Sequence, residues 1–124
     1  MNAPNNPAAT PEALPGHPFI AYRGDTLHVE DVALAQLAAE HGTPLFVYSK
    51  AAMLAALGAY QRGFAGRDAQ ICYAMKANSS LGVLQVFAQA GCGFDIVSGG
   101  ELERVLAAGK AALVSRQRCQ HGGL

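Results

Sequence analysis

The feature that most constrains the fold is an alternation of short apolar runs with longer helical patterns, repeated three times after residue 42. The runs TPLFVY, AQICYAMK and FDIVS are apolar and nearly continuous, which is typical of strands buried on both faces. Each run is followed by a helical pattern: SKAAMLAALGAYQRGFAG, NSSLGVLQVFAQAGCG and GGELERVLAAG. This β-α-β-α-β-α order predicts an α/β fold in which right-handed crossovers join parallel strands.

Capping and turn residues predict where the elements begin and end. Ser49 is the expected N-cap of the first of the three helices, and Asn78 or Ser79 that of the second. Gly91 and Gly109 are expected to end the second and third helices.

Upstream, FIAYRGDTLHVE predicts a hairpin that turns at Arg-Gly-Asp, and EDVALAQLAAEHG predicts a helix that ends at Gly42.

Within the α/β class, the sequence favours the first units of a TIM-like (β/α)8 barrel over a dinucleotide-binding sheet. The stretch VYSKAA, which follows the first apolar run, lacks the G-x-G-x-x-G fingerprint of such a sheet. We expect a flexible leader at residues 1–18, a hairpin and helix at 19–42, and a partial barrel at 43–110. In such barrels, functional residues lie at the carboxyl ends of the strands.

Composition excludes several classes of partner. Nine basic and nine acidic residues give a formal net charge of zero, so neither nucleic acid nor an anionic membrane is expected. The sequence contains neither a membrane-spanning apolar run nor the pattern of a signal peptide, and three cysteines without C-x-x-C favour the cytoplasm. No metal site is expected, because Cys119 and His121 lack a second pair of ligands.

Lys76 is the first candidate for chemistry, because it stands at the carboxyl end of the second predicted strand. A solvated lysine at a strand end is the commoner interpretation. A neutral amine there would also suit Schiff-base chemistry. Asp95 and Glu101 accompany the third strand, Asp95 near its start and Glu101 after its end. Asp95 also fits a simple polar residue at a strand entry, and Ser98-x-x-Glu101 fits a helix capping box.

Together, GTPLFVYS, CYAMKANSS and GCGFDIVSGGELERVLAAG resemble the N-terminal part of the fold-type III pyridoxal-phosphate decarboxylases. The resemblance covers about residues 18–109 and consists of three motifs in the family's order and at family-like spacing. The Y-A-x-K-A-N run is specific to that superfamily. The run FDIVSGGELERVLAAG is more similar to the diaminopimelate branch than to the ornithine and arginine branches.

The resemblance implies a cofactor, a reaction and four site residues. The cofactor is pyridoxal 5'-phosphate, held covalently by Lys76, with Ala74 lining its ring. Asp95 and Glu101 match acidic positions that orient or polarise the region around the lysine. The implied reaction is decarboxylation of meso-2,6-diaminopimelate to L-lysine and CO2 in lysine biosynthesis, and the implied full-length enzyme is a cytoplasmic homodimer that binds a small amino acid.

Three alternatives to the diaminopimelate reaction stay open. The first is that the parent enzyme acts on ornithine, arginine or carboxynorspermidine. The second is that the chain is a non-catalytic pyridoxal-phosphate-binding protein. The third alternative is a pseudogene product without function. The discriminating residues belong to parts of the family pattern that this sequence does not contain.

The tail LVSRQRCQHGGL departs from the family pattern. Its apolar periodicity vanishes, so residues 111–124 are interpreted as a non-family tail that follows a frameshift or gene damage near residues 110–113. The alternative is a natural short product with a polar tail. Family members are several times longer and include the rest of the barrel and a C-terminal β domain. We therefore expect this chain alone to be an inactive, truncated form.

Overall fold

A computed structural model describes residues 14–109 and the backbone of 114–116. These residues divide into two compact units, with the boundary between Ala52 and Met53. Most of the predicted leader, and most of the predicted tail, lie outside the described residues.

The first unit opens with a three-stranded antiparallel sheet. Strands β1 (Ile20–Arg23) and β2 (Thr26–Val29) form a hairpin, and β3 (Val32–Ala33) pairs with β2 on its other side. Two residues connect β1 to β2, and Gly24 takes up the left-handed φ of 62° that such a short turn requires. The predicted hairpin is confirmed.

Helix α1 (Leu34–His41) follows β3 directly. It begins later than the sequence predicts, because residues 32–33 extend the sheet by pairing with β2. Its carboxyl end matches the prediction. Gly42 has a φ of 80°, and its N–H donates to the carbonyl of Ala38, which satisfies one of the last helical acceptors.

The predicted strand at residues 43–48 is wrong, since the chain runs without helix or strand between His41 and Lys50. Phe46 is 87% exposed and Tyr48 is 56% exposed, so the apolar run is not buried as the pattern suggested. A strand needs a neighbour for its backbone N–H and C=O groups. None of the strands in the described ranges pairs with residues 43–48.

Helix α2 (Lys50–Gly63) begins where the sequence predicts. The Ser49 hydroxyl accepts from the N–H of Ala52 at 2.9 Å, which confirms Ser49 as the N-cap. Glu30 strengthens this cap, since its Oε1 accepts from the Ser49 hydroxyl at 2.7 Å and from the Ala51 N–H at 2.8 Å. The Ala51 N–H and then the Ser49 hydroxyl lower the pKa of Glu30.

The second unit contains a parallel sheet with the order β4-β5-β6. Helices separate its consecutive strands; the elements in chain order are β4 (Cys72–Ala74), α3 (Leu81–Gln89), β5 (Gly93–Ile96), α4 (Gly99–Ala107) and β6 (Val114–Arg116). The order from β4 through α4 agrees with the sequence-based prediction. Strand β6 was not predicted: it pairs with β5 and lies within residues 111–124, which the sequence pattern indicated to be a non-family tail.

The core of the second unit lies between this sheet and its two helices. Its members are buried apolar side chains from both layers: Met75, Leu84, Ala88, Phe94, Ile96, Val105 and Ala108. Phe94 and Ile96 alternate with Asp95 along β5, so the core-facing side of the strand is apolar while Asp95 lies on the other side.

The start of α3 differs from the prediction. Its N-cap is Ser80, neither Asn78 nor Ser79, and the Ser80 side chain makes no capping hydrogen bond. The Oδ1 of Asn78 instead accepts from the Ser80 N–H at 2.9 Å, which forms an Asx turn before the helix. The end of the helix agrees with the prediction, since Gly91 follows it with a φ of 78°.

Candidate active site

Lys76 lies directly beyond the carboxyl end of β4, in a single 3₁₀ turn, Met75–Ala77. Its neighbour Met75 is fully buried and anchors the turn in the core, whereas Lys76 itself is exposed. No described residue forms a hydrogen bond or an ion pair with the Lys76 amine. The turn therefore presents a free amine at a strand end, as the sequence predicts.

Ala74 and Asp95 are register partners on neighbouring strands, β4 and β5. Register partners in a parallel pair project to the same face of a sheet. The adjacent pair, Tyr73 and Phe94, projects to the core, where the two rings meet edge to face with centroids 6.4 Å apart. Ala74 and Asp95 thus share the face opposite the core, and Lys76 follows Ala74 by two residues.

Asp95 carries an unsatisfied acceptor. Its Oδ1 is buried and has no hydrogen-bond partner among the described residues. Such atoms are rare, because a buried polar group without a partner is costly. The carboxylate also acts on Cys72: burial raises the pKa of that thiol, and the charge of Asp95 raises it further. Asp95 therefore places negative charge on the face that it shares with Ala74.

Glu101 lies in the first turn of α4, where it completes the predicted capping box. Its Oε2 accepts from the N–H groups of Val97 at 2.6 Å and Ser98 at 3.2 Å, and the Ser98 hydroxyl accepts from the N–H of Glu101 at 3.3 Å. The capping interpretation is confirmed. A contact of Glu101 with a cofactor stays a prediction.

Two side chains that the sequence analysis did not single out hold the loop after Lys76. The Tyr73 hydroxyl donates to the carbonyl of Asn78 at 3.1 Å, and the Arg104 guanidinium donates to the carbonyl of Ser79 at 3.2 Å. Strand alternation is a signal that could have placed Tyr73 on the face opposite Ala74. No local pattern marks Arg104, since its partner is 25 residues away.

A mainly apolar cavity of about 470 Å³ borders β4. Its lining includes Leu57 and Tyr60 of α2, together with Tyr73, Ala74 and Ala77, but neither Lys76 nor Asp95. The cavity therefore adjoins the candidate site through Ala74, although the side chains of Lys76 and Asp95 do not line it.

The described part of the chain contains neither a cluster of metal-ligating side chains nor a membrane-spanning helix. Residues 14–109 contain no group of three or more His, Cys, Asp or Glu side chains that could hold a metal ion. None of the described helices is long and apolar enough to cross a membrane.

Comparison with known proteins shows which protein family the segment that contains this site resembles. Residues 50–116 match the pyridoxal-binding domain of the pyridoxal-dependent decarboxylases. Two curated relatives are diaminopimelate decarboxylases: the chain is 54% identical to that of Pseudomonas fluorescens over 91 residues (73% of this chain, 22% of the relative) and 55% identical to that of Pseudomonas aeruginosa over 89 residues (72% and 21%).

A solved structure also resembles the chain. The crystal structure of diaminopimelate decarboxylase from M. jannaschii with L-lysine has a TM-score of 0.72 and 27% identity, covering 83% of this chain and 26% of that one. Compared with the two curated relatives from Pseudomonas, the chain spans about a fifth of their length. Because the domain match covers more than half of the chain and includes Lys76, Asp95 and Glu101, the chain belongs to the family of pyridoxal-dependent decarboxylases.

Proposed function

We propose that this chain supplies the cofactor-binding lysine segment of an enzyme that decarboxylates meso-2,6-diaminopimelate to L-lysine and CO2. The relatives named diaminopimelate decarboxylase support the substrate, and so does the L-lysine bound to the M. jannaschii structure, since L-lysine is the expected product. We propose that the whole enzyme acts in the cytoplasm, binds a small amino acid and forms a homodimer.

The observation that carries the proposal is the pairing of β4 with β5, which makes Ala74 and Asp95 register partners. An exposed amine at Lys76 follows β4, and the neighbouring strand presents the buried, unpartnered Oδ1 of Asp95 on the face that Ala74 shares. These residues fit pyridoxal 5'-phosphate: an amine for the covalent attachment, a small side chain beside it and an acceptor in need of a donor. When bound, the cofactor would supply an electron sink for the electron pair that CO2 leaves behind.

Each site residue has a distinct role in this proposal. The Nζ of Lys76 holds the cofactor and, when free of it, moves a proton to the carbon that lost CO2. The methyl group of Ala74 leaves room beside the ring. The negative charge of Asp95 favours a protonated nitrogen near it. Glu101 contributes by holding the backbone after β5, where its carboxylate accepts two N–H groups.

We propose that the second unit is the beginning of a (β/α)8 barrel. The parallel order β4-β5-β6, with a helix between successive strands, supports this arrangement. In the sheet that the structure describes, β4 and β6 are both edge strands, and open edges favour association with other chains. The 124-residue chain alone is accordingly expected to release no CO2 from meso-diaminopimelate.

The experiment is a trapping measurement. The chain is mixed with pyridoxal 5'-phosphate, its visible absorbance is recorded, and the product is reduced with borohydride and mapped by mass spectrometry. We expect Lys76 to carry the label, and Lys76→Ala to lose both the absorbance band and the label. Lys50→Ala is the matched control, since Lys50 is an exposed lysine at the start of α2. Labelling of Lys50 as readily as Lys76 would contradict the proposed site.

A further inference from the structure

Helix α4 contacts the backbone that follows both strands of the candidate site. After β5, the Glu101 carboxylate accepts from the N–H groups of Val97 and Ser98. After the turn that carries Lys76, the Arg104 guanidinium donates to the carbonyl of Ser79. Glu101 and Arg104 are three residues apart, so they lie on the same face of α4. One helix face therefore holds the two segments on which the proposed chemistry depends.

A second contact holds the same loop from the side of the sheet. The Tyr73 hydroxyl donates to the carbonyl of Asn78, one residue before the carbonyl that Arg104 binds. The Tyr73 ring is itself fixed, because it stacks on Phe87 with centroids 4.3 Å apart. Two successive carbonyls thus have donors from different elements, and the loop after Lys76 is restrained between β4 and α4.

We propose that Arg104 is a positioning residue for Lys76. It restrains the loop at Ser79, so that the Lys76 amine samples fewer orientations and meets the cofactor more often in the reactive one. Arg104 is not a catalytic residue, since its guanidinium binds a backbone carbonyl three residues from the lysine. This inference rests on the proposed function, because it assumes that Lys76 captures pyridoxal 5'-phosphate.

The test compares three variants of the full chain. Arg104→Met removes the donors but keeps an unbranched stem and a strong helix former. Arg104→Lys restores one charged donor. Arg67→Met is the matched control, since Arg67 is an exposed arginine of the same unit with no side-chain hydrogen bond to any described residue. The readouts are the rate of borohydride-trapped labelling at Lys76, the pH midpoint of the visible absorbance and hydrogen exchange of residues 77–81 without cofactor.

We expect Arg104→Met to slow labelling at Lys76 about fivefold, as expected for the loss of one charge-assisted hydrogen bond. It should also move the pH midpoint and speed hydrogen exchange in residues 77–81. Arg104→Lys should recover most of the rate, and Arg67→Met should match the parent chain. The thermal midpoint and the helix content should stay close to those of the parent.

Each contrary result has a definite meaning. Labelling of Arg104→Met at the parent rate overturns the positioning role alone. If Arg104→Lys is as slow as Arg104→Met, or if Arg104→Met loses its helix content, the effect comes from the structure of α4 and the proposal fails. If the parent chain itself shows no preference for Lys76, the proposed function fails, and this inference fails with it.

Discussion

At the scale of single residues, the pKa of the Cys72 thiol depends on the charge of Asp95. Burial is the larger cause of the raised pKa of this thiol, and the carboxylate of Asp95 is the second. Asp95→Asn removes the negative charge and leaves the burial, so the thiolate of Cys72 should form at lower pH than in the parent, though still above the ordinary pKa of 9.0. The measurement is the alkylation rate of the Cys72 peptide against pH, read by mass spectrometry.

The matched control for that substitution is Asp68→Asn, which removes an exposed carboxylate of the same unit. It should leave the alkylation profile of Cys72 unchanged. An unmoved profile in Asp95→Asn would show that the carboxylate does not act on the face where Lys76 and Ala74 are expected to bind the cofactor. The test needs no cofactor and is therefore independent of the trapping experiment.

At the scale of elements, two helices of the second unit begin with serine, but only one serine side chain caps its helix. Ser98 accepts from the Glu101 N–H at the start of α4, whereas Ser80 makes no such bond at the start of α3. Ser98→Ala should therefore lower the free energy of unfolding by about 1 kcal/mol. Ser80→Ala, which removes no capping bond, should be near neutral. The measurement is urea unfolding followed by circular dichroism.

Equal losses in the two serine variants would contradict this assignment, because they would show that residue type, and not the side-chain hydrogen bond, decides the effect. The result also bears on the candidate site. The capping box holds the backbone after β5, so Ser98→Ala should loosen the segment that follows Asp95.

At the scale of the whole molecule, stability should depend on the core of the second unit and not on the apolar run at residues 43–48. Phe94 is fully buried between the parallel sheet and its helices, and Phe46 is 87% exposed in the first unit. Phe94→Ala should cost about 3–5 kcal/mol, a large part of the stability of a small domain. Phe46→Ala should change stability by no more than about 0.5 kcal/mol.

Thermal and urea unfolding of the two phenylalanine variants check this contrast. A large loss of stability in Phe46→Ala would mean that residues 43–48 are buried in the folded chain, as the sequence pattern predicted and the structure contradicts. A small loss in Phe94→Ala would place the core elsewhere.

Short-range interactions specify the features that were predicted correctly from the amino-acid sequence. The hairpin turn at Gly24, the N-cap at Ser49 and the box of Ser98 with Glu101 were all predicted correctly. Each depends on residues no more than a few positions apart, so a local pattern contains the whole interaction. The same holds for Lys76, whose place at a strand end follows from the apolar run before it.

Interactions between residues far apart in the chain could be seen only in the folded structure. The apolar run at 43–48 has the composition of a strand, but composition does not specify a pairing partner. Two other features likewise depend on how β5 and α4 pack against the turn at Lys76. They are the unpartnered oxygen of Asp95 and the hydrogen bond from Arg104 to Ser79, 25 residues away. Periodicity and capping signals encode local burial and local hydrogen bonds, whereas register and long-range polar contacts arise only when the elements pack together.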